Sequence, residues 1–374
     1  MKYFLAIILV AQWVAMPASA QDYYYQHRWH HWHPWYDDDD SSDSANDAAS
    51  STTGSATSDP ASNPTSVTTT GNSASTPASN PASSTTTGSA TSNPASNPAS
   101  ATTTGSSSSG YTGGPPVSGM VLTFDDEFNT LSASSSGQGT LWQTRFYYNS
   151  LTHSNWSNLD LDPAVCDLGL TPYSISNGIL DIHEQNTDPR LAACGVTEPY
   201  TSGNLYSYYS FSQEYGYFEV RAQASSVAGT DFAFWMLPKD GSWPPEIDIT
   251  EVLGREPTID NASNHYNTSN TTITFPVNAG TNLAGGFHIY GVLWDATSIT
   301  YMLDGQPVAK TSTQSDENKP FYMILGLGIG ACGDGWAGCP ADPSHFSADV
   351  YVDYVRVWQF ADQNPAACVG DCGQ

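Results

Sequence analysis

Basic residues are scarce in this 374-residue chain: 10 Lys+Arg stand against 37 Asp+Glu, a formal charge of −27. That shortage excludes nucleic acid as a partner, because neutralising phosphates takes a basic patch. It disfavours anionic membrane surfaces for the same reason. No internal apolar run reaches the roughly 20 residues that span a bilayer. Nowhere does a 3.6-residue apolar period persist for three turns, which argues against a helical architecture. Residues 41–110 hold no Leu, Ile, Phe, Tyr or Trp, and Val67 is their largest apolar side chain. Such a segment cannot bury enough surface to offset its ordering entropy. It does repeat, with Gly54, Gly71, Gly88 and Gly105 recurring every 17 residues. A solenoid needs an apolar face in each repeat, and these units have none. The stretch 41–118 therefore reads as a disordered low-complexity linker, part flexible and part polyproline-like, and a candidate for O-glycosylation.

What is present begins with a targeting pattern. Lys2 precedes an apolar stretch over 3–16, and Pro17-Ala18-Ser19-Ala20 supplies the small residues of a cleavage site. Residues 1–20 read as a secretory signal peptide, which implies a secreted chain with no membrane span after cleavage; the rival is an uncleaved anchor helix. The six cysteines then meet an oxidising compartment, where an even count suits disulfides. Six cysteines allow about 15 connectivities; the expectation pairs neighbours, Cys166 with Cys194, Cys332 with Cys339, Cys368 with Cys372. No Cys/His spacing suits zinc. Residues 21–40 run QDYYYQHRWHHWHPWY into Asp37–Asp40, with His27, His30, His31 and His33 among tryptophans. Imidazoles there suit a transition metal, or the composition is simply biased. Asn155, Asn261, Asn267 and Asn270 open glycosylation sequons.

The composition turns globular over 119–361, roughly the size of one large sandwich, leaving a Cys-containing tail over 362–374. An Asn177-Gly178 turn between alternating apolar residues predicts a hairpin over 174–182. Further strands are expected over 216–223, 231–236, 246–253, 288–294, 299–303, 321–327 and 350–359. The expected fold is all-β, two packed antiparallel sheets with few helices.

The sharpest feature is Trp243-Pro244-Pro245-Glu246-Ile247-Asp248-Ile249-Thr250-Glu251. Alternate side chains of a strand share a face, so Glu246 and Asp248 point one way and Ile247 and Ile249 the other. Strict alternation would send Glu251 to the apolar side, where a bare carboxylate is costly. One β-bulge near Ile249–Thr250 restores it to the acid face. Three acids crowded together raise at least one pKa, which keeps one carboxylic acid protonated beside an ionised one. The same acids could hold Ca²⁺, or lie solvated on an exposed strand. Trp243 beside them, Trp235 on the preceding strand, and an aromatic content of 12% favour stacking on sugar rings and glycosidic hydrolysis.

At this point the sequence resembles glycoside hydrolase family 16, the jelly-roll, concanavalin-like endo-β-glucanases. EIDITE at 246–251 matches the E-x-D-x-x-E signature in its bulged, laminarinase-like form. Around it lie FDDEFN at 124–129, SNGILDI at 176–182, YGYFEVRAQ at 215–223, FAFWMLP at 232–238 and VDYVRVWQF at 352–360. The resemblance implies a catalytic domain over 119–361, with Glu246 as nucleophile, Glu251 as acid/base and Asp248 assisting between them. It implies Trp243, His265 and Trp336 at the sugar site, with Trp235, Asn204 and Tyr147 as weaker candidates. It also implies a structural Ca²⁺ held by the Asp353 side chain and the carbonyls of Glu127 and Gly178, unless Asp353 serves a salt bridge. The expected activity is a retaining endo-hydrolase of neutral β-1,3 or mixed β-1,3/1,4 glucan, monomeric and needing no cofactor for catalysis. A transglycosylase on the same site and a non-catalytic carbohydrate-binding sandwich are the alternatives; a metal-binding surface protein led by the His-rich tail is a more distant one.

Overall fold

The strand Thr230–Pro238 shows how the layers arise. Phe232, Phe234 and Met236 enter the main core, while Ala233, Trp235 and Leu237 join a second cluster on the opposite side. A strand buried on both faces reads as a continuous apolar run, and this one is buried throughout. This computed structural model describes residues 111–372 apart from 149, 153–155, 268–269, 331 and 333–335. The expected signal (1–20), His/Trp-rich tail (21–40) and the linker before residue 111 lie outside the described residues.

Two sheets stack on one core. One has eight strands, in the order Thr271–Asn278, Ile259–Tyr266, Glu246–Leu253, Thr230–Pro238, Phe321–Ile329, Asn204–Tyr206, Trp142–Gln143 and Ala133–Ser134. The other has eleven, built around Gln306–Ser312, Ser298–Leu303, His288–Trp294, Gly216–Gln223, Ser347–Gln359 and Ile179–Asn186. Helix among the described residues is limited to three short 3₁₀ turns. Phe124, Phe218, Tyr290 and Trp294 fill the space between the sheets with the inward faces of Phe232 and Phe234. The fold is a β-sandwich, as the strand pattern implied, of the jelly-roll kind that the family resemblance implied.

Strands over 216–223, 246–253 and 288–294 fall where expected, and the others run one to three residues longer. Asn177 and Gly178 take φ of 54° and 75°, the paired positive values that a tight hairpin turn requires. The strand Ile259–Tyr266 was not anticipated, because its sequence IDNASNHY is polar on both faces. Its Asp260, Ser263 and Asn264 are nonetheless buried.

Both domain boundaries differ from expectation. Part of the expected linker, at 111–114, packs on the domain: Tyr111 Oη and Gly114 N both donate to Glu219, at 3.1 Å. Glu219 is fully buried and draws two of its hydrogen-bond donors from that segment. The expected tail over 362–374 is likewise docked, since Val369–Gly370 pairs in parallel with Val121–Asp126. Its Asp371 accepts from Glu127 N at 3.0 Å. The cysteines pair as neighbours: Cys166–Cys194, Cys332–Cys339 and Cys368–Cys372.

Candidate active site

The strand Glu246–Leu253 carries the bulge that its sequence demanded. Toward Thr230–Pro238, Asp248 pairs with Trp235 and Thr250 with Phe234, so Ile249 is the extra residue. The opposite edge shows the same slip, from Asp248↔Ser263 to Glu251↔Asn261. Ile247, Ile249 and Val252 enter the core. Thr250 turns with them and donates to the buried Asp260 at 2.6 Å. Glu246, Asp248 and Glu251 are left together on the outer face, opposite His265, Trp235 and Ala233.

Each acid has its own partner. Trp243 Nε1 donates to Glu246 Oε2 at 2.5 Å, and Trp336 Nε1 donates to Glu251 Oε1 at 3.1 Å. His265 Nε2 lies 2.9 Å from Asp248 Oδ2, and its Nδ1 lies 2.8 Å from Thr272 Oγ1. Burial, then the Asp248 charge, pushes Glu246 up to about 8. Burial, then Asp231, Asp248 and Glu246, raises Glu251 well above the usual carboxylate range. Burial works against the His265 charge, but Glu246 and Asp248 outweigh it and push the imidazole up to about 9. At neutral pH the site therefore combines an imidazolium with two carboxyls, Glu246 and Glu251, that both hold their protons more tightly than a free carboxyl. An acid and a nucleophile on one face is what the arrangement offers chemically.

The expected sugar-site residues divide. Trp336 is 38% exposed and Trp243 half-buried, so both present ring surface beside the acids. Trp235 is only 9% exposed and forms floor, packed with Phe146, Tyr206, Tyr322 and Ile324. Tyr147 stacks on Tyr208 with centroids 4.5 Å apart, at the margin of that cluster. Asn204 is fully buried and gives its amide to Asp160 at 2.8 Å. Its carboxamide covers Gly326, where a Cβ would come within 1.7 Å of Asn204 Oδ1.

The calcium expectation fits poorly. The Asp353 carboxylate is ion-paired with Arg221 through one of its oxygens, the salt-bridge alternative. The Glu127 carbonyl does adjoin Gly178, 3.8 Å from where its Cβ would stand, but the Glu127 carboxylate engages Arg356 at 2.6 Å. Glu246, Asp248 and His265 place ligand atoms within 4.8 Å of one another. Both imidazole nitrogens there already have partners, which argues against a metal centre.

Two neighbours of the acids were not anticipated. Asn261 donates to the Glu251 carbonyl at 3.2 Å and is buried, so its sequon is not accessible. Asp231 is 2% exposed and acts on Glu251; the signal was a lone acid in the apolar run TDFAFWMLP.

Residues 173–356 match the family model described as glycosyl hydrolases family 16. The endo-1,3-1,4-beta-glycanase EglC of Rhizobium meliloti (strain 1021) is 35% identical over 245 residues, covering 64% of this chain and 52% of its own. Glucan endo-1,3-beta-glucosidase A1 of Niallia circulans is 29% identical over 276 residues, covering 66% and 39%. The chain thus spans about half the length, or less, of these relatives. Among solved structures, SCLam, a non-specific endo-beta-1,3(4)-glucanase, aligns with a TM-score of 0.54 at 27% identity, over 65% of this chain and 92% of that one. The laminarinase of Rhodothermus marinus shares the fold at 24% identity, with a TM-score of 0.52 over 65% and 98%.

Proposed function

The chain belongs to glycosyl hydrolase family 16, and from that premise we propose that it is a secreted, endo-acting hydrolase of β-1,3 or mixed β-1,3/1,4 glucan. One observation carries the reading: Glu246, Asp248 and Glu251 share one face of a single bulged strand, and each glutamate accepts an indole N–H. The relatives' names supply the substrate class, and the aromatic surface around Trp243 and Trp336 suits a neutral polysaccharide. The apolar stretch after Lys2 supports secretion.

The steps follow from the chemistry of the two carboxyls. Glu246, ionised, attacks the anomeric carbon while Glu251 gives its proton to the departing glycosidic oxygen. A glycosyl–Glu246 ester and a shortened glucan result. Glu251, now a carboxylate, takes a proton from water as the water oxygen attacks the same carbon, releasing Glu246 and restoring the acid. Asp248, bonded to the His265 imidazolium, brings a positive group to within reach of Glu246. That positive charge offsets part of what burial and the Asp248 charge do to Glu246, and so favours the ionised form the first step needs.

Incubation of the purified protein with laminarin, lichenan and agar, followed by product sizing and anomer analysis by NMR, tests the reading. Internal cleavage of laminarin or lichenan with a β-anomeric first product is expected. Release of α-anomer, or cleavage of none of these polymers, would refute it.

A further inference from the structure

Asp231 stands where no residue of the proposed chemistry requires an acid. It pairs with Leu253 on one side and Gly328 on the other. Two residues along the same face, Ala233 pairs with Glu251. Asp231 is thus a diagonal neighbour of Glu251, a relation that places side chains within about 7–8 Å. Its carboxylate is 2% exposed, so little water screens one acid from the other.

We propose that Asp231 is a positioning residue for the acid–base step: its buried carboxylate keeps the proton on Glu251 until a glycosidic oxygen takes it. The proposal rests on the assignment of Glu251 as the acid. The other groups facing Glu251 cannot serve this purpose alone. Asp248 and Glu246, from its own strand, are tied to His265 and Trp243. From Ile259–Tyr266, Asn261 bonds the Glu251 backbone carbonyl. From Phe321–Ile329, the neighbours of Ala233 and Asp231 are Gly326 and Gly328, which carry no charge. Trp336 donates an N–H, which favours the ionised form. Among the charges acting on Glu251, Asp231 contributes the most after burial itself. Behind it lies Glu184, fully buried and raised well above its usual range by burial, with Asp231 and Asp160 adding to the effect.

The sign is fixed. A negative Asp231 disfavours a negative Glu251, so neutralising it lets Glu251 ionise at lower pH. In Asp231→Asn, and in Asp231→Ser as a second variant should the first misfold, the alkaline limb of kcat/KM on laminarin should move down by about one pH unit. The first step on an aryl glucoside with a good leaving group, which needs no proton, should keep most of its rate. A purely structural role would lower both substrates alike and leave the limb in place. An unmoved alkaline limb in a folded variant overturns the proposal. Movement of the acidic limb instead also overturns it, and would mean that Asp231 faces the nucleophile. Failure of the unsubstituted protein to cleave any glucan would strike the functional reading separately; ¹³C titration of the Glu251 carboxyl, compared with Asp231→Asn, then decides the coupling, with an unchanged midpoint refuting it.

Discussion

Glu246 and Glu251 are the same side chain in two settings. Glu246 lies beside an imidazolium and an indole N–H, whereas Glu251 lies among acids with one indole N–H. The proposed mechanism gives them opposite duties, and substitution should separate the two. Glu251→Ala should lose roughly 10²–10⁴-fold on laminarin, the usual worth of a general acid, yet retain the first step on an activated aryl glucoside. Added azide should speed that variant and give a β-glycosyl azide. Glu246→Ala should be inert on both substrates, with azide giving only the α product. An α product from Glu251→Ala would reverse the assignments. The acids were legible because their spacing and the cost of burying Glu251 could be read directly. The burial of Asn204 was not legible, because one polar residue on a strand does not reveal that it covers a glycine.

At the scale of elements, the bulge and the disulfide loop share the task of bringing distant residues to one place. The bulge was legible from alternation alone: with Ile247 and Ile249 committed to the core, only an extra residue returns Glu251 to its face. The strand Ile259–Tyr266 was not, because its Asp260 and Ser263 find partners in Thr250 and Thr274 on the flanking strands, a tertiary fact that no local pattern encodes. Trp336 lies between Cys332 and Cys339, so that bridge tethers the indole that donates to Glu251. Replacing both cysteines by serine should lower kcat/KM on laminarin about tenfold, the equivalent of one hydrogen bond to a charged group. The indole N–H favours ionised Glu251, so its loss should also move the alkaline limb upward, opposite to Asp231→Asn. Trp336→Phe should reproduce the limb shift while keeping a ring to stack. If the serine variant matched the parent in both rate and pH profile, the tether would have no catalytic part.

The whole sandwich separates its two outer faces. The acids project from the eight-stranded sheet, whereas Tyr217, Glu219 and Arg221 project from the eleven-stranded one, since Phe218, Val220 and Ala222 between them fill the core. On that second face Glu219 accepts from Tyr217 and Tyr354 at 2.9 Å each, and from Tyr111 and Gly114 N at 3.1 Å. Gly113 has no room for a side chain there: at φ +90° its Cβ would lie 2.1 Å from the Tyr354 hydroxyl. Sequence alone set the domain start near residue 119, because GYTGGPP has the composition of the linker before it, and only the buried Glu219 shows why these residues must dock. A chain beginning at residue 115 removes two donors from a buried carboxylate. Each hydrogen bond to a charged group contributes about 1.5–3 kcal/mol, and 1 kcal/mol moves the melting temperature of a domain this size by about 2–4 °C. That chain should therefore melt roughly 5 °C or more below one beginning at residue 111, by differential scanning calorimetry. Tyr111→Phe in the full chain should account for part of the loss. Because the anchor and the acids lie on opposite faces, kcat on laminarin well below the melting point should be the same in all three. A fall in kcat without a fall in melting temperature would show that the segment serves the cleft and not the fold.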